Sequence, residues 1–157
     1  IILRAQEIPL RAESLMAQTG FASYLVRIPE SDCQLTNDLE NKIQSIMSSD
    51  QIFVGRRQKS KRPDKQNKDN TSQIDIKPYV KSIKLSGCND GTLQLEMTLG
   101  DGGSNKVRPE EIVGLLFSSF AEDSEQHYKI SVPDIQKTEF FIENQGRFFS
   151  PMEFLGN

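Results

Sequence analysis

Apolar and polar residues alternate along several stretches of the chain, and this alternation predicts strands. The clearest case lies between residues 92 and 100, where every second residue is apolar; these residues are Leu93, Leu95, Met97 and Leu99. The sequence NDG at 89–91 precedes this strand and predicts a hairpin turn, because Asn and Gly tolerate positive φ. Aromatic and β-branched residues predict further strands at 21–29, 51–57, 127–132 and 138–143.

A less regular strand is predicted from 73 to 85. Its apolar residues fall in two phases, one with Ile74, Ile76 and Val80 and the other with Ile83 and Leu85. The change of phase predicts a bulge near Lys81 and Ser82. Pro78 has no N–H to donate to a ladder, so we expect it at a sheet edge or at this irregularity.

Apolar residues spaced three and four apart predict three helices. The first covers 11–19 and ends before Gly20, a usual residue just past a helix end. The second is about fourteen residues long and has an apolar stripe made of Leu35, Leu39, Ile43, Ile46 and Met47. The third begins at Pro109, and Glu110 and Glu111 complement its dipole. Its apolar face consists of Ile112, Val113, Leu116, Phe117 and Phe120.

The order of these elements is α-β-α-β-β-β-α-β-β, with no repeated βαβ unit. This order predicts an α+β fold, a two-layer sandwich with an antiparallel or mixed sheet and helices mainly on one face. We expect residues 1–157 to form a single accessory domain. The chain starts at Ile1 without an initiator Met, and we expect it to be a fragment of a longer protein.

Composition narrows the classes of function. The chain is 36% hydrophobic and 26% charged, and it contains no apolar run of the ~20 residues that a membrane helix needs. We therefore expect a cytoplasmic protein without a membrane partner, whose Cys33 and Cys88 are reduced thiols. A single histidine, His127, and two separated cysteines do not suggest a metal site or a nucleophile–base pair. We predict no catalytic residue, metal or cofactor in this chain.

A basic segment at 55–73 interrupts the apolar pattern. Between 55 and 68 there are seven basic residues and one acidic residue, so the net charge of −3 leaves −9 on the rest of the chain. The basic residues are Arg56, Arg57, Lys59, Lys61, Arg62, Lys65 and Lys68. Because strands flank the segment, we expect a hairpin with a long flexible loop at its tip. It is either a solvated spacer or a loop that contacts phosphates, since it has no aromatic residue to stack on a base.

A second candidate site is the Gly-rich loop that leads into the third helix. Its backbone N–H groups and nearby cations suit an anion, and the residues concerned are Gly102, Gly103, Ser104, Lys106 and Arg108. The alternative is a strand-to-helix turn that requires glycine for its backbone angles. The loop lacks the GxxxxGK[ST] pattern of nucleotide-binding loops.

Four stretches in this order, at 7–16, 74–80, 102–113 and 137–154, resemble the bacterial radical-SAM-associated domain of unknown function. The residues that match the family motifs are Asp75, Lys77, Pro78, Tyr79, Pro109, Glu110, Glu111, Gly146 and Pro151. The chain departs from the family in its longer 55–73 loop, in the spacer between Ser104 and Arg108, and in lacking the family's leading portion.

The resemblance implies a cytosolic accessory region that works with a radical SAM region of the same polypeptide. The parent protein would carry a [4Fe–4S] cluster and S-adenosylmethionine, whereas this chain has no CxxxCxxC segment. We therefore expect a non-catalytic domain that positions a macromolecular substrate such as RNA. The alternative is an interaction module that docks a protein partner through its sheet.

Overall fold

The computed structural model describes residues 20–29, 36–57, 71–102, 106–117 and 133–154. A curled half-barrel sheet of five strands in the order β4-β5-β1-β6-β7 dominates it. Its strands are β1 (Gly20–Pro29), β4 (Val80–Asn89), β5 (Thr92–Gly100), β6 (Asp134–Asn144) and β7 (Arg147–Phe149). Every pairing in it is antiparallel. The α+β class is thereby confirmed, and the two-layer sandwich stays a prediction.

A separate two-stranded sheet joins β2 (Phe53–Arg57) to β3 (Thr71–Asp75) in antiparallel register. The hairpin predicted around the basic segment is therefore confirmed at its base. A 3-10 helix, Lys77–Tyr79, then separates β3 from β4. The prediction of one continuous strand from 73 to 85 is wrong, because Pro78 lies in the 3-10 helix and the chain changes sheets there.

The helices are α1 (Thr36–Ser48), α2 (Pro109–Phe117) and α3 (Pro151–Phe154). The described parts of the apolar stripes predicted for α1 and α2 are confirmed, since Leu39, Ile43, Ile112 and Leu116 are buried in one apolar core. Leu35 and Phe120, which also belong to the predicted stripes, lie outside the described residues. Alternate residues of the sheet complete this core, among them Val26, Leu93, Leu95, Met97 and Leu99. The predicted helix at 11–19, the strand at 127–132 and His127 lie outside the described residues.

The hairpin turn predicted at 89–91 is confirmed, and a second hairpin turn follows β6. Asp90 and Gly91, both with positive φ, join β4 to β5, and Gln145 and Gly146 do the same for β6 and β7. Positive φ at both central residues is the signature of the turn whose twist matches that of the flanking strands. A register shift between Val80 and Ser82 confirms the predicted bulge.

Cys88 on β4 corrects an expectation, because it is disulfide-bonded and not a reduced thiol. Composition and spacing could not predict this bond, since disulfide formation depends on the distance between the two sulfur atoms in the fold. The chain's other cysteine, Cys33, lies outside the described residues.

Residues of β1 alternate between two faces of the sheet. Ala22, Tyr24 and Val26 point into the core with α1 and α2, and Ser23 and Leu25 point to the opposite face. We call this opposite side the open face. Its residues on β4, β5 and β6 are largely polar, including Lys84, Glu96 and Glu139.

Candidate functional site: an anchored basic hairpin and an open sheet groove

The β2–β3 hairpin is attached to α2 through one arginine. Arg56 Nε donates to Glu111 Oε1 at 2.7 Å, and its Nη2 donates to Glu111 Oε2 at 2.8 Å. The same Nη2 also donates to the Lys106 carbonyl oxygen at 2.7 Å. Such a two-pronged pair fixes orientation as well as distance. The base of the basic segment is therefore held against the start of α2.

Glu111 also caps its own helix. Its Oε2 accepts the Arg108 backbone N–H at 3.0 Å, which is the side-chain half of a capping box. Partial burial raises the pKa of Glu111, but the hydrogen bonds and charges of Arg56 and Arg108 outweigh this effect and hold that pKa below its usual range. The carboxylate thus stays ionised and serves the hairpin and the helix together.

The turn between β3 and the 3-10 helix is held by Asp75. Its Oδ1 accepts the backbone N–H groups of Ile52 at 2.9 Å and Lys77 at 3.0 Å. These hydrogen bonds, the one from Ile52 first, lower the pKa of Asp75. Lys77 Nζ reaches the Met47 carbonyl oxygen in the last turn of α1. A cation at this position complements the negative end of the helix dipole.

A third cluster centres on Asp101, just after β5. Its carboxylate pairs with Lys106, at 3.2 Å, and with Lys137 on β6. Burial raises the pKa of Asp101, but the two lysines more than compensate, so the net pKa lies below the usual range. Burial first, and then the hydrogen bond and charge of Asp101, raise the pKa of Tyr24 to about 12. A tyrosine in this state is a poor general base, and the cluster joins the loop to β1 and β6.

A groove of about 330 Å³ crosses the open face of the five-stranded sheet. One row of residues crosses the four strands β4, β5, β1 and β6. It consists of Ser82, Thr98, Ser23 and Glu139, and each residue is paired with the next. The next row contains Lys84, Glu96 and Leu25. All seven residues line the groove together with Thr138.

Hydrogen bonds hold the middle of the row and leave its ends available. Ser23 Oγ and Thr98 Oγ1 lie 3.3 Å apart, and Thr138 Oγ1 donates to the Ser23 carbonyl oxygen at 3.2 Å. Within the described part of the chain, the side chains of Lys84, Glu96 and Glu139 have no hydrogen bond or ion pair. Three charged groups therefore face one groove without neutralising one another through a contact.

The sequence analysis missed the groove and did not connect Lys84, Glu96 and Glu139 with one another. The available signal was the run of polar residues at alternate strand positions, such as Ser82 and Lys84 on β4 and Glu96 and Thr98 on β5. That signal marks an outward face. It does not show which strands are neighbours, and the groove depends on β1 lying between β5 and β6.

The comparisons with known proteins give a family without a described activity. Residues 1–109 match the model of an uncharacterized protein conserved in bacteria, DUF2344. The chain belongs to the DUF2344 family. No curated protein and no solved structure matches the chain significantly. The fold and groove of this DUF2344 member are therefore the main basis for an argument about function.

Several motif residues have structural roles in this DUF2344 member. Asp75, Lys77 and Glu111 make the contacts described above. Tyr79 packs against the core, Pro109 is buried at the first position of α2, and Pro151 begins α3. Gly146 has a φ of +75° in its turn. Pro78 and Glu110 are exposed.

The structure brings the two predicted loop sites together at Arg56 and Lys106. Of the basic segment, Arg56 is described in full and Arg57 as a backbone position of β2. The remaining cations, Lys59, Lys61, Arg62, Lys65 and Lys68, lie outside the described residues. In the Gly-rich loop, Gly102, Lys106 and Arg108 are described, whereas Gly103 and Ser104 are not. The bonds of Lys106 and of the Arg108 N–H favour the interpretation as a strand-to-helix turn.

The described residues contain neither a metal-binding cluster nor a helix suited to a membrane. No group of three or more His, Cys, Asp or Glu side chains is arranged to hold a metal ion there. Across the same ranges, no helix has the length and apolar character needed to cross a membrane.

Proposed function

We propose that this DUF2344 chain is a non-catalytic accessory module of a radical SAM protein, and that it positions a macromolecular substrate, in first place RNA. The observation that carries the proposal is the attachment of Arg56 to Glu111 and to the Lys106 carbonyl. It gives the basic segment a fixed base on the domain.

The fixed base matters because binding by a tethered segment costs less when its ends are already positioned. Five paired residues on each strand hold the two ends of the segment 58–70 together. The five cations beyond this base lie in sequence between its two strands. Without stacking aromatics in the segment, the contact suited to it is with phosphates, which positions RNA without reading its sequence.

Three carboxylates near the hairpin and the Gly-rich loop are committed to structural contacts, and we take this as support for an accessory role of this part of the domain. Asp75, Asp101 and Glu111 each accept several hydrogen bonds, and Tyr24 has a pKa of about 12. A [4Fe–4S] cluster needs cysteine thiolates, and this chain has two cysteines, of which Cys88 is disulfide-bonded. We therefore assign the cluster, and S-adenosylmethionine with it, to the radical SAM region of the proposed parent protein.

The test compares two double variants in binding to a single-stranded RNA oligonucleotide by fluorescence anisotropy. Lys59→Gln/Lys61→Gln removes two charges from the segment but leaves Arg56 in place, so the hairpin stays attached. The matched control, Lys84→Gln/Arg147→Gln, removes two exposed charges elsewhere. We expect the first variant to weaken binding several-fold and the control to bind like the parent. Equal affinity in all three proteins would reject the RNA proposal.

Docking of a protein partner is a second candidate, and one observation favours it. On its outer side β6 pairs with β7 through Ile142–Asn144 only, so 134–141 has no outer strand partner among the described residues. A free edge of this length suits addition of a strand from another protein. Hydrogen–deuterium exchange with the separately expressed radical SAM region tests this. Slower exchange confined to 134–141 is expected, and unchanged exchange there would contradict docking at this edge.

A further inference from the structure

We propose that the groove on the open face binds a basic α-amino acid, a small molecule with an α-carboxylate, an α-ammonium group and a second cation at the end of an aliphatic side chain. This site is separate from the basic hairpin, so the inference does not depend on the RNA proposal. It rests on the three charged residues Lys84, Glu96 and Glu139 and on the surface between them.

Two opposite charges lie side by side at one end of the groove. Lys84 on β4 lies directly opposite Glu96 on β5, and neither side chain is in an ion pair with a described residue. One cation and one carboxylate side by side suit a ligand that carries the opposite pair on adjacent atoms. The α-carboxylate and α-ammonium groups of an amino acid meet this condition, and charge-assisted hydrogen bonds would hold both.

A second carboxylate, that of Glu139, lies at the other end of the groove. Glu139 on β6 lies two strands away from Glu96 and one row along, which corresponds to about 12 Å between Cα atoms at ordinary strand spacings. Each glutamate side chain covers part of this distance. A ligand with an aliphatic chain of three or four methylenes covers the rest and places its terminal cation at Glu139.

The surface between the carboxylates fits such a chain. Leu25 lies beside Glu96 and offers half-buried apolar surface for methylenes. The hydroxyls of Thr98 and Ser23 form a hydrogen bond with each other. An apolar chain that covers them therefore does not leave them without a hydrogen-bond partner. Ser82 stands next to Lys84 in the wall of the groove and can donate to the ligand carboxylate.

The charges of the groove favour a basic amino acid over a phosphate, a dicarboxylate or a diamine. The groove has one positive and two negative groups, and a basic amino acid has two positive and one negative. A phosphate or a dicarboxylate would face two carboxylates, whereas a simple diamine would leave Lys84 without a partner. Complementary charges of this kind contribute mainly to specificity.

The test is isothermal titration of the whole chain with L-lysine, L-arginine, cadaverine, L-norleucine and L-glutamate. We expect binding of L-lysine or L-arginine, roughly tenfold weaker binding of cadaverine and norleucine, and no detectable binding of glutamate. Cadaverine lacks the carboxylate and norleucine lacks the terminal cation. Each comparison therefore examines one contact.

Variants assign the ends of the ligand. Glu139→Gln should weaken L-lysine binding roughly tenfold but leave norleucine binding unchanged, whereas Lys84→Gln should remove the preference for lysine over cadaverine. Glu143→Gln, on the same strand but outside the groove, is the control and should bind like the parent. Equal binding of lysine, cadaverine and norleucine, or no binding of lysine or arginine, would overturn the proposal.

Discussion

Glu111 illustrates how one side chain can support two elements. It accepts two hydrogen bonds from Arg56 and one from the N–H of Arg108, and it is largely shielded from water. Asp101 plays a similar part for the loop that precedes α2, with Lys106 and Lys137 as its partners. Both carboxylates have a lowered pKa. At the scale of residues, the acidic groups near the Gly-rich loop hold the fold together.

Glu111→Gln should lower the free energy of unfolding at pH 7 by about 1.5–3 kcal/mol, because charge-assisted hydrogen bonds are lost in a partly buried site. The neighbouring Glu110→Gln is the control, since that side chain is exposed. Urea denaturation of the three proteins measures the difference. Equal loss in both variants would show that the bonds of Glu111 are not responsible.

The lowered pKa of Glu111 predicts that the folded protein loses stability in acid. A carboxyl group whose pKa is lower in the folded protein stabilises it fully above its unfolded pKa, and this contribution is lost as the pH falls through the folded pKa. The parent should therefore lose stability below about pH 4.3, the ordinary pKa of a glutamate, and Glu111→Gln should lose less. Melting temperatures between pH 3 and 7 measure this, and parallel curves would contradict it.

The raised pKa of Tyr24 predicts a loss of stability at alkaline pH. Its pKa is raised to about 12 in the folded protein, so above its ordinary value near 10 the unfolded chain releases this proton first. Stability should then fall as the pH rises from about 10 to about 12. Tyr24→Phe should flatten this part of the profile in thermal melts, and a profile as steep as that of the parent would count against the assignment.

At the scale of elements, β1 and β6 approach each other closely at Gly20. A Cβ atom built there would lie 2.7 Å from the Phe141 carbonyl oxygen and 2.6 Å from the Phe140 ring. The backbone contact leaves a side chain no room, so the pairing of the central strand with β6 depends on this glycine. At Gly114, on the exposed side of α2, no atom of a neighbouring described residue lies within 4 Å of the corresponding position.

Alanine at these two glycines should have opposite effects. Gly20→Ala should destabilise the protein by about 1–3 kcal/mol through overpacking between strands. Gly114→Ala should stabilise it by about 0.5–1 kcal/mol, because alanine is the better helix former. Chemical denaturation of both variants checks the pair, and a Gly20→Ala variant as stable as the parent would mean that β6 can move away.

Local patterns predicted most elements because their causes are local. Alternation identified β5, the Asp90–Gly91 turn identified the β4–β5 hairpin, and the apolar stripe identified α1. The 3-10 helix at Pro78 was missed, since the apolar residues on both sides are compatible with one strand. The disulfide of Cys88 was missed because it depends on tertiary structure, and the groove was missed because it depends on which distant strands become neighbours.

At the scale of the whole molecule, charge is unevenly distributed. Residues 55–68 are strongly basic and the rest of the chain is acidic, with a net charge of −9 outside them. The acidic body repels a phosphate backbone, so RNA binding has to come from the segment itself. Because the guanidinium of Arg56 is engaged with Glu111, six of the seven cations remain for phosphates.

The salt dependence of RNA affinity tests the proposal most directly. If six cations contact phosphates, a plot of log affinity for single-stranded RNA against log salt concentration should have a slope of about −4. Lys59→Gln/Lys61→Gln should reduce the slope to about −3, and Lys84→Gln/Arg147→Gln should leave it at −4. The measurement is fluorescence anisotropy from ~50 to ~200 mM salt. A slope near zero in the parent, or the same slope in the parent and the segment variant, would contradict the account.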